Sequence, residues 1–171
     1  MPETAPSAAA PTPAPQVMTD EEIFKVIDLT NTAEVDQAKV AQTKAKNAKV
    51  KNFAAMMITQ HTKAKDKGNK LSTKLGVKPS ESSTSTMLKS DTDSMLSQLK
   101  SEPAADFDRA YMDRQVEAHQ KVLSMLDEKL IPNAKDPELK TLLQDMRTTV
   151  ESHLKDAQTI QASLAAMPAK P

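Results

Sequence analysis

Cysteine is missing from the 171 residues, which removes disulfides, thiolate metal sites and a thiol nucleophile together. Tryptophan is missing too, and the chain holds one tyrosine, three phenylalanines and two glycines, Gly68 and Gly76. Sheets draw on aromatic and β-branched residues and need turn glycines, so this composition argues against them. No apolar run approaches the roughly 18 to 20 residues of a membrane-crossing helix. No charged stretch followed by an apolar run opens the chain, so export would require a leader outside these residues. Formal net charge is zero, and bulk charge favours no class of partner. A glycine-rich phosphate loop, a nucleophile elbow and a Cys/His pair are all lacking. An enzyme is therefore not expected.

What remains is rich in alanine, lysine, leucine, glutamine and methionine, all good helix formers. The expected class is all-α. Residues 1–16 carry five of the eleven prolines and almost nothing to bury, so residues 1–17 read as a disordered Pro/Ala-rich tether. Residues 18–166 read as one helical bundle domain, and 167–171 as a frayed tail.

Thr19 with Glu22 forms a capping box at the first helix start. Ile23, Ile27, Thr30, Glu34, Ala38 and Ala41 then step by three or four residues along one face. Asn47 suits the cap of a second helix, with stripe Val50, Phe53, Met57, His61, Ala64, Gly68, Leu71 and Leu75. Gly76 and Pro79 supply its stop. A short helix over about 84–99 buries Leu88, Met95 and Leu99. A long one runs to about Leu130 with stripe Met112, Val116, His119, Leu123, Leu126 and Leu130. Asp136 and Pro137 open the last helix. Its stripe is Leu139, Leu142, Met146, Val150, His153, Ala157, Ile160 and Leu164. The segments "NAKVKNFAAMM" and "DPELKTLLQDM" resemble each other, each opening the second helix of a pair. Two packed hairpins, hence an antiparallel four-helix bundle with a short extra helix between the second and third long ones, follow from that pattern.

All three histidines fall on inward stripes, each from a different long helix, and Glu34 sits on the inward stripe of the remaining one. The candidate metal ligands are therefore Glu34, His61, His119 and His153, with Met57, one turn before His61, as a possible accessory. Imidazole with carboxylate suits zinc, copper or nickel. A buried neutral histidine can equally be satisfied by hydrogen bonds with no metal present. Di-iron bundles repeat Glu-x-x-His, because residues three apart share a face. Here Ile58, Val116 and Val150 hold those places, which argues against that centre.

Charge is uneven. Residues 38–78 carry eleven lysines and one acid, Asp66, whereas residues 79–119 carry eight acids and four bases. The plain expectation is that the lysine face of the second helix opposes the acidic segment. The sharper one is docking on an anionic membrane surface or an envelope protein. Nucleic acid is disfavoured, because no aromatics interleave for base stacking.

At "FDRAYMDRQVEAHQKVL", with "AKVKNFAAMMITQHTKA" and "DPELKTLLQDMRTTVESHLKDAQ", the chain resembles a bacterial family. It is number four-one-four-two of the domain-of-unknown-function series, often labelled an outer membrane protein. The resemblance covers roughly residues 19–165. It implies a ferritin-like helical bundle and, for most members, export to the periplasm or envelope. The family's recurrent polar positions fall on Glu34, His61, His119 and His153. Pro132 departs from a loop that usually contains glycine. Two functions follow as expectations. The first is an envelope protein binding one metal ion for buffering, sensing or stress protection. The second is an interaction bundle with a buried histidine network and a docking lysine face.

Overall fold

The computed structural model describes residues 17–166; the expected tether, Val17 apart, and the expected tail lie outside the described residues. Helix α1 (Asp20–Lys44) begins at the expected capping box, where the Thr19 side chain accepts from the Glu22 amide and the Glu22 carboxylate from the Thr19 amide. Helix α2 (Ala48–Leu75) is capped by Asn47 and ends at Gly76, whose φ of 67° lies in the left-handed region open to glycine. Helix α3 (Ser83–Ser101) starts one residue earlier than expected, because Ser82 and Ser85 make a second capping box, and it ends two residues later. Helix α6 (Pro137–Ala165) opens on Asp136, whose side chain accepts from the Glu138 and Leu139 amides.

The fourth helix differs from its expected form. Helix α4 (Phe107–Met125) passes into a π-helical turn, Leu126–Leu130, and a last short turn, α5 (Ile131–Asn133). The Ile131 amide reaches back five residues to the Leu126 carbonyl. Pro132 has no amide to donate, and its ring would crowd the carbonyl four residues before it. The widened turn accommodates that ring, so the helix continues to Asn133 instead of stopping at Leu130.

Helices α1 with α2, and α4 with α6, form two antiparallel hairpins, and α2 meets α6 to close a four-helix bundle. Helix α3 packs chiefly on α1 and carries the chain along the outside of the bundle from the Glu21 end of α1 to its Lys44 end. This placement corrects the expected charge pairing. Of the α2 lysines, Lys65 pairs with Asp28 of α1 and Lys74 with Glu138 of α6. Glu81 of the acidic segment instead receives Lys25 of α1.

Two distant acids pin the helix heights. Asp20 accepts from the Lys135 and Asp136 amides at 2.9 and 3.0 Å. Asp108 accepts from the Lys46 and Asn47 amides at 3.0 and 2.8 Å at the other end. The apolar core is split in two. One cluster gathers Val50, Phe53, Met57, Phe107, Tyr111 and Met112. The other gathers Ile23, Ile27, Leu126, Leu139, Leu143 and Val150. Between them, at mid-height, lie the buried polar residues Asn31, Glu34, Gln115, His119, His61 and His153.

Candidate metal centre

Three helices each carry one histidine into that layer: His61 from α2, His119 from α4 and His153 from α6. Their ring centroids are 5.2 Å apart for His61 and His153, 5.5 Å for His119 and His153, and 6.1 Å for His61 and His119. One nitrogen from each ring lies within 4.8 Å of the other two. All three rings are buried, with His119 and His153 each 1% exposed. This is the one group of three or more histidine or acidic side chains so arranged among the described residues.

Each ring is held by one nitrogen. His61 Nδ1 lies 2.8 Å from Asn31 Oδ1, and Asn31 donates its own amide nitrogen to the Ile27 carbonyl. The Asn31 oxygen must therefore face His61, and it can only accept. His119 Nδ1 lies 2.8 Å from the Gln115 carbonyl, also an acceptor. His153 Nε2 lies 2.8 Å from Gln60 Oε1. These contacts place the proton of each neutral ring on the outward nitrogen. The opposite nitrogens, His61 Nε2, His119 Nε2 and His153 Nδ1, are left with bare lone pairs. All three are buried without a hydrogen-bond partner.

Lone pairs cannot satisfy one another, so the rings do not form a hydrogen-bonded network of their own. Burying an unpartnered polar atom costs about 1–3 kcal/mol. A cation answers all three at once. A tetrahedral ion with bonds of about 2.0–2.1 Å sets its ligands roughly 3.4 Å apart, so a contraction of about an ångström closes the site. Outer partners that fix ring orientation and tautomer are the usual support of metal-binding histidines.

Burial and neighbouring charge keep His61 and His153 neutral. Burial, with His153 and His119 adding to it, lowers His61 to about 3 from the ordinary imidazole value. Burial and then His119 lower His153 to about 4. At neutral pH an ion would displace no proton from either ring.

The structure does not bring Glu34 into the histidine group. Its Oε2 accepts from Gln115 Nε2 at 3.1 Å, one turn away from His119. Asn31, three residues earlier on the same inward face, stands at the height of His61 instead. Glu34 thus backs the site through Gln115, and with burial it raises the Tyr111 hydroxyl above its usual range, burial being the larger cause. Met57 is fully buried in the apolar cluster that adjoins the layer. Asn31, Gln60 and Gln115 escape the sequence reading. The available signal was their position, since Gln115 lies four residues before His119 and Asn31 four after Ile27 on an inward face.

A groove of about 380 Å³ lies between α2 and α6, with His61 and His153 in its lining. No helix of the described residues is long and apolar enough to cross a membrane.

A family model, the domain of unknown function DUF4142, matches residues 3–160. No curated protein matches the chain in sequence. Two solved structures of DUF305 proteins are similar in fold. A fragment from Deinococcus radiodurans superposes with a TM-score of 0.71 at 14% identity, covering 87% of this chain and 99% of that one. A DUF305 protein from Streptomyces coelicolor, described as secreted, gives 0.69 at 11% identity, covering 88% and 96%. At such identities the likeness concerns the fold alone.

Proposed function

This chain belongs to the DUF4142 family, and from that premise we propose that it binds one transition-metal ion through His61, His119 and His153. The observation that carries the reading is the set of three buried ring nitrogens without partners, each opposite a nitrogen fixed by an acceptor. Three neutral imidazoles without a thiolate suit zinc, copper(II) or nickel(II). Three protein ligands also leave a further coordination position open. We assign the protein a binding role in metal buffering, sensing or stress protection. A periplasmic or envelope location belongs to the same proposal; the Pro/Ala-rich first segment and the secreted DUF305 neighbour support it. A metal-free interaction bundle accounts less well for three inward lone pairs that meet no donor.

The test is purification of the full chain without an affinity tag, followed by metal analysis and thermal melting with Zn²⁺, Cu²⁺ or Ni²⁺. The expected result is one ion per chain, and stabilisation of about 2.7 kcal/mol at a hundredfold excess over the dissociation constant. His61→Ala is expected to remove that shift. Substoichiometric metal together with unchanged melting in all three ions would falsify the proposal.

A further inference from the structure

The groove between α2 and α6 adjoins the histidine centre. His61 and His153 belong to its lining, whereas His119 does not, so a molecule in the groove lies beside two of the three imidazoles. Lys63 and Lys67 stand on the α2 side and Asp145 on the α6 side. None of the three makes an ion pair among the described residues. Residues four apart on a helix are neighbours on one face, so both lysines can reach one ligand. Gln60, its amide oxygen taken by His153, keeps its amide nitrogen available as a donor beside them.

Charge decides what fits. A divalent ion on three neutral rings keeps its full double charge, because imidazole brings none. The carboxylate of the same polar layer, Glu34, is engaged with Gln115. The lysines add two positive charges at the groove, and Asp145 offsets one. An ion bound there leaves a site short of negative charge, with a coordination position unfilled. A volume of about 380 Å³ accommodates a small organic molecule, far more than one water.

We propose that the groove binds a small polycarboxylate: one carboxylate takes the position the imidazoles leave open on the ion, and a second lies against Lys63 and Lys67. The ligand is then a ternary partner of the bound ion, and the protein takes metal in its carboxylate-complexed form. This inference rests on the three-histidine reading and falls with it.

Cobalt(II) serves as the probe, because its visible d–d bands report a change of ligand. The full chain is loaded with Co²⁺ and titrated with malonate, and separately with acetate, at constant ionic strength. A saturable band shift with malonate is expected, at concentrations at least tenfold below those acetate needs. The double variant Lys63→Ala/Lys67→Ala is expected to weaken malonate binding at least tenfold while leaving Co²⁺ affinity within about twofold. If Co²⁺ binds and malonate leaves the bands unchanged, the carboxylate proposal is overturned and the metal reading stands. Equal potency of acetate and malonate, or equal malonate affinity in the double variant, overturns it as well. Failure of Co²⁺ to bind overturns both.

Discussion

At the scale of single residues, protons and lone pairs decide the matter. His61 and His153 titrate at about 3 and about 4 in the folded chain. In the unfolded chain an imidazole titrates near 6.5. Between those values the unfolded chain binds more protons, so stability rises with pH across the window. The contribution is full above about pH 6.5 and is lost progressively as pH falls toward the folded values. Urea midpoints of the metal-free protein are therefore expected to drop between about pH 7.5 and about pH 5, a range above most carboxylate titration. An unchanged midpoint would contradict the buried, neutral state of the rings. Much of this was legible in the sequence, since periodicity alone put all three histidines inward. Periodicity gives the face of a helix and says nothing of its height. Glu34 and Asn31 both face inward, and which of them meets His61 depends on how α1 is set against α2. That setting is held in part by Lys65 of α2 on Asp28 and Thr32 of α1, and by the close approach of Gly68 to Ile27. Those contacts join residues far apart in the chain, and no local pattern announces them.

At the scale of elements, starts and stops were legible because their chemistry is local. Thr19, Asn47 and Asp136 cap the helices they were expected to cap. Gly76 carries the only positive φ among the described residues, and nothing lies within 4 Å of a Cβ built there. The cost of a side chain at this position is thus conformational and not steric contact. Gly76→Ala is expected to destabilise by about 1 kcal/mol, read from a denaturant midpoint at unchanged slope. A neutral substitution would mean that the α2 terminus relaxes freely. Gly68 works differently, for a Cβ there would meet Ile27 Cγ2 at 3.3 Å, which marks a close approach of α1 and α2. The π-helical turn was not legible. Pro132 signals a break, and only the packing of Leu126 and Leu130 into the lower core shows that the helix widens and continues.

At the scale of the whole molecule, a polar layer divides the core, and such a layer costs stability unless something satisfies it. His119→Leu tests this with little side effect. The Gln115 carbonyl that His119 Nδ1 approaches lies four residues earlier in the same helix, where it also takes the backbone amide of residue 119. The substitution removes an orphaned nitrogen and replaces it with a side chain of similar size. The metal-free protein is expected to gain about 1–3 kcal/mol while losing its metal-induced melting shift. A loss of stability in the metal-free state would instead favour a purely structural network. The fold class was evident from composition and stripes, and the similarity to DUF305 structures agrees with it. The order of helices around the bundle was not evident, because α3 lies on α1, away from the lysine face of α2.

The central claim is that one ion binds to three imidazoles. X-ray absorption at the zinc edge of the zinc-loaded full chain addresses it directly. The account predicts one zinc per chain with three histidine nitrogens at about 2.0–2.1 Å, completed by a light oxygen or nitrogen ligand. A first shell of oxygens without imidazole scattering would contradict it.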